Sequence, residues 1–286
     1  MRRRPRIAIL GAGAAGAAVG RALRRAGRPV AAVCRRDRAR ARAAARAVGG
    51  AARVFTDPAR AARGADLVLI AVRDGEIADL AQRLARADAV APGALVVHLS
   101  GAVPSAALAP LRAAGARTAA LHPLQTFAGE PPDLRGVRWF HEGDARRECG
   151  ALVRRLGGVL RPLDPGRKAL YHAAAVAASN YLVAVEDLAV RLAGGAGIPP
   201  REALRALLPL VRGTVRNLEA RGLPAALTGP VARGDAATVR THREALRALD
   251  PALDAAYAAL GRHALRVARD RGLPPSRARE VARALR

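Results

Sequence analysis

Lysine is almost absent from this chain: among 286 residues there are 48 arginines and a single lysine, Lys168. Side-chain amides are nearly as scarce, with Asn180, Asn217, Gln82 and Gln125 the whole supply. Aromatic residues make up 2% of the sequence, so the core must be built from Ala, Leu and Val. A surface that stacks nucleic-acid bases on interleaved aromatics is also excluded. Two cysteines, Cys34 and Cys149, make no disulfide framework and fit a reducing cytoplasm. No uninterrupted apolar run reaches about 18 residues, so no membrane span is expected. No metal site is expected either.

What is abundant is positive charge, a formal net +26. Such a balance raises nucleic acid or an anionic membrane surface as partners. The arginines are spread along the whole chain, however, which reads as a solvated Arg/Ala-biased surface that draws in small anions. Where Arg has replaced Lys everywhere else, the one surviving Lys sits where Arg fails, and Lys168 is the first suspect for chemistry. The opening MRRRPRIAILGAGAAGAAVG has the basic start and small-residue stretch of a leader. Its glycine spacing reads instead as a strand running into a turn, and so as mature protein.

Short apolar runs at 6–10, 29–34, 53–55, 67–72 and 94–99 read as buried strands, with further short strands at 117–121 and 137–141. Helices between them imply right-handed crossovers and a mostly parallel, doubly wound α/β sheet. After Pro162-Leu163-Asp164-Pro165-Gly166 the pattern changes to helices only, at about 167–194, 200–220, 235–248 and 251–271, with a short tail at 276–285. The expected organisation is a nucleotide-binding domain over 1–165 and an all-α domain over 166–286.

Gly11-Ala12-Gly13-Ala14-Ala15-Gly16 lies between the first strand and a helix, the setting in which GxGxxG binds a dinucleotide. Gly11 allows the tight turn, Gly13 lets the backbone approach a pyrophosphate, and Gly16 permits close helix–strand packing. The helix N-terminus offers free N–H groups to the phosphates. About 20 positions on, where an NAD enzyme places a carboxylate for the ribose, stand Arg35 and Arg36, which suit a 2′-phosphate. NADP(H) is the expected cofactor. Val72 and Asp74, after the fourth strand, lie at the carboxyl edge where ligands bind, and Ser100 and His122 end later strands on that edge.

The segment 167-RKALYHAAAVAASNYLVAVEDLA-189 puts Lys168, His172, Ala175 and Ser179 on one helix face within about 60°, with Asn180 at its edge. Lys168 can give a proton to a carbonyl oxygen as it becomes an alkoxide, while Arg cannot be deprotonated. His172 assists it or sets its charge, and either can be the donor. Ser100 and Asn180 would orient the carbonyl. In 227-LTGPVARGDAATVRTH-242, Thr228 and Arg233 can hold a carboxylate, and Asp235 can cap the next helix.

GAGAAG, HLSGA, LHPLQTF, KALYHAAAVAASNYLVA and LTGPVARGD, in this order, resemble the Rossmann-like oxidoreductases with a helical C-terminal domain of unknown function. That second domain is similar to those of phosphogluconate dehydrogenase, pyrroline-carboxylate reductase and ketopantoate reductase. The resemblance covers nearly the whole chain. It implies a dehydrogenase with an anionic small-molecule substrate held between two domains, and a homodimer through the helices. Lys168 matches the Lys of the hydroxyacid dehydrogenase relatives, whereas His172 stands in the place of their Asn. The functional expectation is an NADPH-dependent reductase of a small carboxylated carbonyl compound, a 2-oxo acid such as ketopantoate. A non-catalytic NADP(H) sensor is the alternative.

Overall fold

A computed structural model describes residues 5–286; the basic start of the leader-like stretch, residues 1–4, lies outside them. The chain forms two compact units, 1–179 and 180–286. In the first, the order is β1 (Ile7–Leu10), α1 (Ala14–Arg25), β2 (Val30–Cys34), α2 (Arg38–Val48), β3 (Arg53–Phe55), α3 (Pro58–Ala62), β4 (Leu67–Ile70), α4 (Ile77–Arg86), β5 (Leu95–His98), α5 (Ala109–Ala113), β6 (Arg117–Pro123), β7 (Arg138–Gly143), α6 (Arg146–Arg155) and β8 (Val159–Pro162). Then α7 (Lys168–Gly195) runs from the first unit into the second, which holds α8 (Pro200–Arg221), α9 (Pro230–Arg233), α10 (Ala236–Leu249), α11 (Pro251–Asp270) and α12 (Pro275–Ala284).

The eight strands form one sheet in the order β3-β2-β1-β4-β5-β6-β7-β8, with a single reversal of direction of travel beside β1. Alternate residues of each central strand feed opposite cores. Ile7, Ile9, Leu67, Leu69 and Val97 pack on one face, and Ala8, Leu10, Val68, Ile70 and Val96 on the other. A sheet covered on both sides needs strands without polar alternation, which is why RIAIL and LVLI are apolar throughout. The run 67–72 keeps its strand only to Ile70, and 94–99 only over Leu95–His98.

Two features depart from a simple parallel sheet. Strand β7 runs antiparallel to β6, placing Glu142 opposite Ala120 and His141 opposite Leu121. Strand β8, absent from the sequence-based expectation, sits at the sheet edge with a mostly exposed face. An edge strand carrying Arg161 and Pro162 has no buried apolar run to announce it.

The second unit has its own core, where Val239, Leu265, Val281 and Leu285 meet with no exposed area above 4%. Beneath it, Arg243 grips Asp254 with two hydrogen bonds of 2.6 and 2.7 Å, both side chains buried. Such a fork fixes two helices in one register. Helices α7 and α8 differ from all this. Among the described residues neither makes extended packing contact with another element, and each has one buried residue, Lys168 and Ala203 respectively. The helix spanning Pro165–Gly195 is long and apolar enough to cross a membrane, with mean hydropathy 1.4 over its most apolar window. Glu186, Asp187 and Arg191 interrupt its apolar sequence, so no unbroken run of membrane-spanning length announces it.

Candidate active site and nucleotide cleft

The turn between β1 and α1 is held by Gly11 N–H donating to Cys34 O at 2.9 Å and Gly13 N–H to Gly11 O at 2.6 Å. Gly11 has φ +81°, and a Cβ there would lie 2.7 Å from the backbone at Ala71 and Val72. Gly16 would meet Ala71 at 3.1 Å, so α1 rests directly on the sheet. Gly13 is different: a Cβ would find nothing nearer than 3.8 Å, which leaves space for a ligand rather than for a neighbour. Helix α1 opens with no side-chain cap and no acid in its first turn, so its leading N–H groups are free for an anion. Ala12 is buried, Ala15 half-buried and Ala14 exposed along this turn.

A cavity of about 380 Å³ continues from the glycines past Arg35, Arg36, Arg40, Thr56 and Val72. The Arg35 guanidinium donates to Ala12 O at 3.2 Å, and Arg36 is paired with Glu76. Asp37, one step further, accepts from Arg40 N–H at 2.7 Å and caps α2. The Asp37 carboxylate is therefore committed to the backbone, while five arginines, Arg73 and Arg83 included, border the cavity. Residues of this kind fit a dinucleotide carrying an extra phosphate. Arg40, on α2, and Thr56, just past β3, lie outside the glycine motif and carry no signal of their own in the sequence.

On the same sheet edge, the ends of β5 and β6 meet the first turns of α7. Tyr171 O–H lies 2.6 Å from His122 Nδ1, and the His122 and His172 rings stand edge to face with centroids 6.5 Å apart. Gly101 closes the group. A Cβ there would lie 2.9 Å from His172 Nδ1 and 3.0 Å from His122 Cε1. His172 Nδ1 is shielded from solvent and has no hydrogen-bond partner. The site thus holds a polar nitrogen in want of a partner, a cost unless a ligand or water meets it.

Behind this group lies His98, fully buried. It accepts from Ser100 N–H at Nδ1 (3.3 Å) and has Nε2 3.4 Å from Pro104 O. Nδ1 is thereby the acceptor and Nε2 the protonated nitrogen, and a second proton would set two N–H groups against each other. Burial first, then the charge of Lys168, pushes His98 down to about 4. The same causes, joined by His172, push His122 down to about 4. Both are neutral imidazoles at ordinary pH. Burial holds the Tyr171 phenol well above its usual range.

Lys168 is 2% exposed and its ammonium lies 3.8 Å from Glu142 Oε1. Glu142 in turn accepts from Ser105 N–H at 2.5 Å and Ser105 Oγ–H at 2.6 Å. Burial lowers the Lys168 pKa, and Glu142 and Asp74 oppose that shift. The lone lysine therefore points into the interior, at a carboxylate on the antiparallel strand.

The other residues nominated from sequence are placed as follows. Ser100 Oγ accepts from Ala102 N–H and Val103 N–H at 3.1 and 2.9 Å, folding the loop that presents Gly101. Asp74 is exposed after β4, and its charge acts on His98, His122 and Lys168. Ser179 is exposed on α7. Asn180, Thr228 and Arg233 belong to the second unit, where Thr228 and Arg233 line a groove with Arg271 and Arg277. Asp235 accepts from Thr238 N–H at 3.0 Å and caps α10. Tyr171, Gly101, His98 and Glu142 had no sequence-assigned role. The scarcity of aromatics, with Tyr171 standing between Lys168 and His172, was the available signal for the first.

Residues 1–123 match the Rossmann-like domain, and residues 141–264 match a domain of unknown function, DUF2520. The chain joins these two domains. It has the fold of the NAD(P)-dependent oxidoreductases. Among solved structures it is similar to BF3122 of Bacteroides fragilis, an NADP oxidoreductase by assignment, at 25% identity and TM-score 0.76, covering 91% of this chain and 97% of that one. It is also similar to protein TM1727 of Thermotoga maritima, at 24% identity and TM-score 0.70, covering 93% and 99%. A third likeness is to a reductive aminase of Aspergillus terreus in complex with NADPH and ethyl levulinate, at 18% identity and TM-score 0.63, covering 92% and 94%. No curated protein matches the chain in sequence.

Proposed function

We propose that this protein is an NADPH-dependent reductase that adds hydride to the carbon of a polarised C=O bond in a small carboxylated substrate. A 2-oxo acid is the class to try, with ketopantoate first. The observation that carries the reading is the His122–Tyr171 pair at 2.6 Å, open toward Gly101 on the sheet edge that also bears the glycine turn. NADPH supplies the hydride when bound. Gly11, Gly13 and the start of α1 take its pyrophosphate, and Arg35, Arg36 and Arg40 take its 2′-phosphate.

The substrate oxygen gains an electron pair as its carbon takes the hydride, and needs one proton. His122 Nε2–H gives it, the Tyr171 O–H stays hydrogen-bonded to Nδ1 and steadies the imidazolate that is left, and water then returns a proton to Nε2. A neutral imidazole is a donor whose strength suits a nascent alkoxide. His172 Nδ1 supplies a second contact to the same substrate. Lys168, turned toward Glu142, keeps positive charge beneath the imidazoles and so keeps them unprotonated. Thr228 and Arg233 have the chemistry to take a carboxylate.

A C=N substrate is the second reading. Imidazoles held neutral, with the Asp74 charge acting on them, tolerate a cationic iminium carbon better than imidazolium would.

Titration with NADPH and NADH, followed by nicotinamide fluorescence and then by a panel of 2-oxo acids and cyclic imines, tests these claims. Tighter binding of NADPH than NADH, with turnover of one substrate class, is the expected result. Binding with no turnover of either class would favour a sensor, and failure to bind both nucleotides would overturn the reading.

A further inference from the structure

We propose that a second cavity beside the glycine turn binds a small organic acid with an apolar body, and that its occupant opposes NADPH but not NADH. The cavity has a volume of about 410 Å³ and lies between α1, α2 and the segment that follows β6. Pockets for small molecules have this size. The guanidiniums of Arg21, Arg35 and Arg40 border it, and among the described residues no Asp or Glu lines it. Its other walls are apolar, made chiefly of alanines from the two helices together with Phe127.

Charge and wall chemistry select the occupant. Arg21 donates from Nε to Ala47 O at 3.1 Å, and Arg35 donates to Ala12 O at 3.2 Å. A carbonyl partner fixes a guanidinium without cancelling its charge, whereas Asp254 does both to Arg243. Among the described residues none of Arg21, Arg35 and Arg40 forms an ion pair. Acids close by in the chain are engaged elsewhere: Asp37 caps α2, and Asp133 pairs with Arg135. Uncompensated cations around one hollow attract an anion, and the two already held lose little freedom when it arrives. The apolar side separates this hollow from a merely basic surface. Phe127, one of three phenylalanines in the chain, is half-buried there against the sheet core. A bare phosphate would leave that wall wet, while an aryl or alkyl group attached to the acid covers it.

Gly13, Arg35 and Arg40 line the nucleotide cleft as well. Both cavities therefore draw on the same two guanidiniums. A 2′-phosphate on one side and an acid on the other compete for them and repel each other, whereas NADH brings a neutral hydroxyl to that place. Such coupling is reciprocal: whatever the acid takes from NADPH affinity, NADPH takes from acid affinity. An organic acid in this cavity thus lowers the share of the protein that carries NADPH. The coupling rests on the NADPH reading; the acid site does not.

The test titrates the full chain, free of nucleotide, with hydrocinnamate, a phenyl ring and a carboxylate on a short linker, by ligand-observed NMR at physiological salt. Saturable binding in the millimolar range or tighter is expected, with acetate and hydrocinnamyl alcohol each at least about tenfold weaker because each lacks one half. Arg21→Met removes a cation that borders this cavity and not the nucleotide cleft. Ala43→Trp, at an exposed position of α2, fills the hollow and leaves every arginine in place. Each variant should weaken hydrocinnamate at least about tenfold and keep the wild-type Kd for NADPH. Saturating hydrocinnamate should raise the Kd of NADPH by about fivefold or more and leave that of NADH unchanged. No saturable binding, equal binding of acetate or the alcohol, or full affinity in both variants would each overturn the site. Equal weakening of NADPH and NADH would put the acid in the nucleotide cleft itself and overturn the proposal as well. A chain that binds hydrocinnamate through these residues but neither nucleotide would keep the acid site and remove the NADPH reading, and the coupling with it.

Discussion

Lys168 shows how far residue identity carries and where it stops. Its solitude among 48 arginines marks it as a place where a guanidinium fails, and the structure supplies a reason in its burial against Glu142, a carboxylate already held by Ser105. Removing one charge from such a pair leaves the other unpaired in the interior, at a cost of about 3–5 kcal/mol. Lys168→Met should therefore melt much earlier than wild type, and adding Glu142→Gln should recover much of that loss. If the double variant also keeps turnover, Lys168 is a supporting residue and not the acid; thermal melts beside assays of both variants decide it. What one sequence cannot convey is direction. A 3.6-residue period puts Lys168 and His172 on one face, but it was β7, running antiparallel beside β6, that brought Glu142 to meet the lysine.

At the scale of elements, the glycine turn and the helix after it were legible because each glycine has its own steric reason. Those reasons differ in rigidity. A Cβ at Gly20 would meet the tips of Ile9 and Val48 at 2.7 and 2.8 Å, whereas one at Gly11 would meet backbone at φ +81°. Side-chain tips move and backbone does not. Gly20→Ala should lower stability by no more than about 1–3 kcal/mol and keep nucleotide affinity, while Gly11→Ala should weaken NADPH binding at least tenfold, as fluorescence titration would show. Strands buried on both faces could be read from apolar runs alone, as for Ile7–Leu10 and Leu67–Ile70. β8 could not, because an edge strand exposes its side chains and looks like loop. Helix α7 could be read as a helix but not as an unpacked one, since packing is a property of neighbours.

For the whole molecule, acid is the condition that should test the fold most. His98 and His122 stay neutral down to about pH 4, while unfolded histidines take a proton near 6.5. Between those values the unfolded state binds more protons, so stability is full above about pH 6.5 and falls as the pH drops toward 4. For fully buried His98 the loss by pH 5 is on the order of 2 kcal/mol. Melts at pH 7.5 and pH 5 should show a larger drop for wild type than for His98→Asn; equal drops would mean that His98 is already charged in the fold. The burial of Lys168 has a different consequence, one for labelling chemistry. An amine-reactive acylating reagent finds no lysine on the surface of this protein, for all its positive charge. The rate at which Lys168 is acylated is then set by how often the interior opens, so a single mass increment on one residue becomes a clock for unfolding.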